Sequence, residues 1–268
     1  MAVTSLRVAS RPRDYVSVSG PDAVSYLQAM VSNDVEALGP GEACEALLLT
    51  PKSRVLAPLV VLRRAADDYL LLTERGLGER VQSILIRSRF AAKCTIEPET
   101  HSSVIVLGGS DGIPTADYGE EAVEALDAAL EVTVADEELE RLRIRAGTPR
   151  WGHELDDRVL PAEAGLEERA IDFAKGCYPG QEPIARQHYR GRVNRNLRLL
   201  AVEGGEPPER DAELAYEGKA VGRVTSSIRD PEVGVIALAY VRAEVPADAR
   251  LTVGERTARP LDFPSPRP

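Results

Sequence analysis

Residues 173–191 read FAKGCYPGQEPIARQHYRG. Lys175, Cys177, Tyr178, Gln181, Glu182 and Arg186 crowd into this short piece of an otherwise aliphatic chain. Gly176, Pro179 and Gly180 predict a tight, non-helical turn. Glu182-Pro183 then predicts a helix start, because proline suits an early helical position and an acid there suits the helix dipole. The helix is expected over 184–189, stopping near Gly191. Cys177 therefore falls on a turn that feeds a helix N-terminus, with Lys175 before it and Arg186 one turn in. Nearby cations and helix N-termini lower a thiol's pKa, and the thiolate is the reactive form. A small buried residue wedged in a turn fits the same residues, since free cysteine is among the most buried types.

The chain's length, 268 residues, suits one large domain or two to three small ones, and a hydrophobic content of 43% suffices for real cores. A net charge of −10 argues against broad electrostatic binding to nucleic acid. The 3 cysteines, Cys44, Cys94 and Cys177, are isolated, which reads as a reducing compartment rather than a disulfide framework. His101, His153 and His188 lack metal-finger spacing, so no metal site is expected. With no apolar run of about 18–20 residues and no hydrophobic signal core at the N-terminus, the expectation is a cytoplasmic protein that meets neither membrane nor nucleic acid directly.

Along the chain, residues 15–18 alternate as a strand. A helix then carries Ala23, Val24, Leu27, Met30 and Val31 on one face and ends at Asn33-Asp34. Three strands follow, 47–50, 55–63 and 69–73, with turns at 51–53 and 65–68. A helix over 76–90 is expected to point Leu77, Val81, Ile84, Leu85 and Phe90 inward, and 92–97 is another strand. The run 104–107 is a strand and GGSDG a plain loop, because the glycine spacing matches no phosphate-binding pattern. Residues 120–130 read as an amphipathic helix and 132–135 as a strand. The helix from Asp136 to Gly147 has its acids early and arginines late, and its charges read as a solvated face. After Arg192 helical periodicity disappears. Strands 197–202, 213–216, 220–227, 233–241 and 251–253 predict a small antiparallel sheet or barrel, and 263–268 is a proline-rich tail.

Lys175, Gly176, Cys177, Tyr178, Gly180, Gln181 and Glu182 meet every fixed position of the signature K-G-C-[YF]-x-G-Q-E. By these residues the chain resembles the YgfZ family, folate-binding proteins related to the aminomethyltransferase (T-protein, GcvT) of the glycine cleavage system. The opening GPDA…YLQ…ND helix, the segment RIRAGTPRWGHEL, the P-x-E-A-G-L of residues 161–166 and the VGRVTSS…GVIALAYV strands extend the resemblance over most of the chain. It implies an α+β, GcvT/YgfZ-like multi-domain fold with a C-terminal antiparallel β-barrel. The folate-binding region would cover 1–192 as two interleaved α+β subdomains, with a hairpin subdomain at about 42–100, and the barrel 193–262. It implies a tetrahydrofolate-binding protein, or one using a one-carbon derivative, that supports synthesis or repair of iron–sulfur clusters in client enzymes, including tRNA-modifying ones. Cys177 would be the reactive group with Lys175 beside it. Glu163 would take the two parallel N–H donors of a pterin edge, a bidentate match for a carboxylate. Gln181, Glu182, Arg186 and Tyr178 would contact ligand or orient the loop. The alternative is a folate-dependent aminomethyl or one-carbon transferase. Against it, Ala57 and Pro58 stand where the transferase carries acids.

Overall fold

The computed structural model describes residues 6–263. Its α+β chain runs through β1 (Arg7–Ser10), β2 (Arg13–Ser19), α1 (Ala23–Met30), β3 (Ala43–Leu49), β4 (Val55–Ala65), β5 (Asp68–Glu74), α2 (Gly78–Ser88) and β6 (Thr95–Glu99). β7 (Ser103–Leu107), β8 (Ile113–Thr115), β9 (Ala122–Leu126) and α3 (Asp136–Ala146) follow. A 3-10 turn (Pro161–Ala164), α4 (Glu167–Ala170) and α5 (Gln181–Arg190) lead into β10 (Arg195–Val202), β11 (Glu213–Tyr216), β12 (Lys219–Asp230), β13 (Gly234–Arg242), β14 (Leu251–Val253) and β15 (Arg256–Leu261).

Three sheets result. One is ordered β3-β4-β5-β2-β6, one β1-β7-β9-β8, and β10-β13-β12-β11-β14-β15 closes into an antiparallel barrel, as expected. Period-two alternation positions the first sheet. Ala57, Leu59 and Val61 of β4 pack with Val16, Val18 and Leu71 beneath α1 and α2. Val60 and Leu62, on the other face, join Tyr15, Leu70 and Leu72 against Ile113 and Leu126 of the second sheet. Leu47, Leu49 and Val55 at the β3–β4 turn pack with Leu155, Val159, Ala164 and the barrel's Leu238 and Tyr240. This shared core joins the hairpin, the 3-10 turn and the barrel. The barrel's own interior is closed by Val224, Ala237, Ala239 and Leu251.

Four expectations are corrected. Residues 120–130, rich in helix formers, contain β9, held in register between β7 and β8. Pairing and the burial of Glu124 override local helical propensity there. No strand occupies 132–135; Thr133 and Val134 instead donate their backbone N–H groups to the Val8 carbonyl. Phe90 is 92% exposed, because α2 ends at Ser88 and leaves it outside the packed face. The charges of α3 are not all solvated: Arg143 is buried, donating to Glu140 at 2.7 Å, Glu154 at 3.0 Å and Ser226 at 3.0 Å. It ties α3 to the barrel strand β12. The sequence reading also missed β1, β8 and β15. β1 and β15 lie near the termini, and β8 has only 3 residues.

Candidate functional site

A cavity of about 1320 Å³ lies where the two open sheets, α3, the 164–169 segment and the barrel meet. β3 and β4 bring Cys44, Glu45, Pro58 and Val60 to its wall. The β8–β9 loop brings Asp117 and Tyr118, and α3 with its following turn brings Arg143, Thr148, Arg150 and Trp151.

The wall's charges are mostly paired. Arg11 donates to both oxygens of Glu74, at 3.2 and 2.7 Å. Arg13 clasps Glu124 through two bonds of 2.7 Å, and Ser103 adds a third donor at 2.8 Å. Arg169 donates to Asp117 at 2.5 Å and also to Glu45. Burial opposes the charge of Asp117, yet the guanidiniums of Arg169, Arg11 and Arg13 hold its carboxyl below the usual range. For Glu45 burial comes first and Asp117 adds to it, so its carboxyl is pushed up despite Arg169. Two buried polar atoms of wall residues, Thr148 Oγ1 and Arg11 Nε, have no hydrogen-bond partner. Buried polar groups are normally satisfied. Among the wall residues these two are left without one.

The seven residues expected from the sequence to act on or bind a ligand, Glu163, Lys175, Cys177, Tyr178, Gln181, Glu182 and Arg186, lie elsewhere, and none is on this wall. The Cys177 turn precedes α5, and the thiol-bearing residue is exposed. Lys175 is buried, and its Nζ donates to the carbonyls of Val31 at 2.7 Å and Asn33 at 2.6 Å. Burial pulls its pKa down to about 8. The ammonium also stands 5.4 Å over the ring of Tyr178. Tyr178 is buried with an unpartnered hydroxyl, and burial pushes its pKa up to about 12. Gln181 Nε2 reaches the Lys175 carbonyl at 3.4 Å, while Glu182 and Arg186 are exposed. The segment is fastened to the β3–β4 turn, where Ser53 Oγ donates to the Gly180 carbonyl at 2.6 Å. Glu163 is 4% exposed. Its Oε2 accepts from the Leu160 N–H at 3.2 Å and Arg195 at 3.1 Å, and Arg195 in turn lies 4.4 Å over the Tyr240 ring. Glu163 thus braces the 3-10 turn against the barrel.

Residues 13–111 match the GCVT N-terminal domain family. Over its whole fold the chain superposes on the glycine cleavage system aminomethyltransferase T of Bartonella henselae with a TM-score of 0.82 and 19% identity, covering 97% of this chain and 86% of that one. Among relatives in sequence are an aminomethyltransferase of Koribacter versatilis, 25% identical over 92% of this chain and 79% of its own. A tRNA-modifying protein YgfZ of an Enterobacter species is 23% identical over 87% of this chain and 84% of its own. The chain is YgfZ/GcvT-like.

In this YgfZ/GcvT-like chain Pro58 is on the cavity wall and Ala57 is in the core beneath α1 and α2. Neither side chain can exchange a proton. The wall charges that the sequence reading missed come from at least seven separate segments, each carrying one or two ordinary-looking residues. Among the described residues no helix is long and apolar enough to cross a membrane.

Proposed function

We propose that this protein binds a tetrahydrofolate-type cofactor in the central cavity. We further propose that it supports enzymes that depend on iron–sulfur clusters, tRNA-modifying ones included, through the exposed thiol of Cys177. The observation that carries the reading is the cavity itself: about 1320 Å³ in a GcvT-like fold, with the unpartnered Thr148 Oγ1 and Arg11 Nε among its wall residues. Small-molecule pockets measure roughly 300–1,000 Å³ and combine apolar walls with a few placed polar groups. The donor set fits such a molecule. Trp151 and Tyr118 contribute aromatic wall, and the arginines and carboxylates of the wall supply donors and acceptors for a polar ligand. When bound, tetrahydrofolate supplies the nitrogens that carry one-carbon units. The protein's own residues bind, orient and exclude water.

The tRNA-modifying name of the YgfZ relatives supports the second half of the reading. The exposure of Cys177 on a turn pinned to the β3–β4 hairpin supplies a thiol within reach of another protein. The aminomethyltransferase relatives suggest one-carbon transfer instead, but Pro58 at the wall offers no acid for it. Calorimetric titration of the reduced protein with tetrahydrofolate tests the first half. Saturable binding that is weakened in Thr148→Val supports it, and no binding to the wild type removes it. Complementation with Cys177→Ala tests the second. Unchanged iron–sulfur enzyme activity in cells carrying that variant overturns the role of the thiol.

A further inference from the structure

Residues 183–202 hold five arginines, Arg186, Arg190, Arg192, Arg195 and Arg198, and no acid, in a chain with 43 acids. The net charge of −10 argues against broad contact with phosphates, but charge on this stretch runs the other way. Arg195 donates to Glu163 at 3.1 Å, and Arg198 donates to the carbonyls of Val245 and Pro246. Arg186 and Arg192 are exposed, and neither has an ion-pair or hydrogen-bond partner among the described residues. Aromatic rings interleave with these cations. Tyr189 is 69% exposed and lies three positions after Arg186, so the two are neighbours on the surface of α5. Its ring stands edge-on to His188, with centroids 4.9 Å apart, and His188 stacks on Phe173 at 4.0 Å with 28° between the planes. The turn that carries Cys177 joins Phe173 to α5.

Beside these rings an open pocket of about 490 Å³ lies between the end of α5, the 162–167 segment and the start of the barrel. That is within the roughly 300–1,000 Å³ of small-molecule sites. Glu167, Gln187, His188 and Arg192 line it. An imidazole face, an amide and a carboxylate are the groups that stack on a base and bond its edge, and a guanidinium suits a phosphate. The acids of this face do not cancel its cations: Glu182 is at the first turn of α5, Glu167 is in the pocket, and Asp172 Oδ1 accepts from the Ala174 and Lys175 N–H groups.

We propose that this face of α5 binds single-stranded RNA, with one base against Tyr189, a neighbouring base in the pocket beside His188, and phosphates at Arg186 and Arg192. Arginine and aromatic residues also mark protein interfaces. An acid-free basic run, planar rings already stacked and a pocket with base-edge groups together favour nucleic acid, whose single strands are held by stacking platforms in basic grooves. The inference goes beyond the folate reading and does not rest on it, because none of these residues lines the central cavity.

The full chain is titrated by fluorescence anisotropy with a labelled single-stranded RNA of about a dozen nucleotides, from about 50 to 200 mM salt. The same RNA paired with its complement, and polyglutamate, are the comparison probes. Expected are tighter binding of the single strand than of either, a loss of about tenfold in Tyr189→Ala, and a salt slope about 0.7 shallower in Arg186→Gln. No binding at the lowest salt overturns the proposal. Duplex bound as tightly as single strand, or Tyr189→Ala binding like wild type, overturns it too, because phosphate contact alone then suffices. Polyglutamate bound as tightly as RNA assigns the face to an acidic protein instead. Both substituted side chains are exposed; if Tyr189→Ala does not fold, the duplex comparison and the Arg186→Gln slope decide. A tetrahydrofolate titration of the same samples keeps the two readings apart, since loss of either binding leaves the other standing.

Discussion

Nζ of Lys175 donates to the carbonyl of Asn33 at 2.6 Å, across a separation of 142 residues, and so closes the end of α1. Two positions on, Cys177 is exposed. The ammonium is held by backbone acceptors at the end of α1.

This placement makes stability depend on alkaline pH. Burial lowers Lys175 from 10.5 to about 8 in the folded chain. Between those values the unfolded chain holds more protons than the folded one, so stability rises with pH through that window. In Lys175→Met that contribution is missing. The difference in urea-unfolding stability, wild type minus variant, is expected to grow from near pH 8 to near pH 10. A difference that stays flat shows that Lys175 keeps its ordinary pKa in the fold.

The three thiols should separate by reactivity. Cys177 is exposed, whereas Cys94 is buried and Cys44 is half-buried on the cavity wall. Burial pushes Cys44 up to about 12 and raises Cys94 as well. Since only the thiolate attacks, a disulfide reagent near pH 7.5 should modify one thiol at least about a hundredfold faster than the other two. Cys177→Ala should abolish that fast phase and change stability by no more than about 0.5 kcal/mol. A fast phase that survives the substitution assigns the reactivity to Cys44 or Cys94.

Arg143 bridges α3, the 148–154 turn and the barrel through Glu140, Glu154 and Ser226. Replacing it with methionine strands the buried carboxylate of Glu154. Breaking a buried pair from one side costs roughly 3–5 kcal/mol. Chemical denaturation of Arg143→Met should show a loss in that range. The double variant Arg143→Met/Glu154→Gln should recover part of it, because the unpaired charge is gone. No recovery would place the cost in lost packing.

The elements whose partners are close in sequence were the readable ones. The α1 face, the β3–β4–β5 meander, the dipole-ordered charges of α3 and the barrel strands β10 to β14 follow from local periodicity. β9 was not readable: EAVEAL has helix-forming composition, and it becomes a strand because Glu124 meets Arg13 from 111 residues away and β7 and β8 flank it. The cavity wall escaped for the same reason, since Arg11, Glu45, Asp117 and Arg169 are unremarkable until topology brings them together. The KGCYPGQE segment was legible as a turn and a helix start. What its residues touch depended on the end of α1 and the β3–β4 turn, both far away in sequence.

That docking can be tested at its two glycines. Gly180 has φ +86 and caps α5; a Cβ there would sit 2.6 Å from the Thr50 carbonyl oxygen and 3.2 Å from the Ser53 Cα, both backbone atoms. Gly176, four residues earlier in the same motif, has nothing within 4 Å of a built Cβ. Alanine at 180 meets a left-handed backbone, which costs roughly 1–2 kcal/mol by itself, and must also push the segment off the hairpin. Gly180→Ala should therefore lose about 2 kcal/mol or more in urea unfolding and weaken hydrogen-exchange protection along α5. Gly176→Ala should stay within about 0.5 kcal/mol of wild type. If the two substitutions cost the same, close approach at Thr50 and Ser53 is not what holds the turn, and the Ser53 Oγ bond to the Gly180 carbonyl carries the attachment instead.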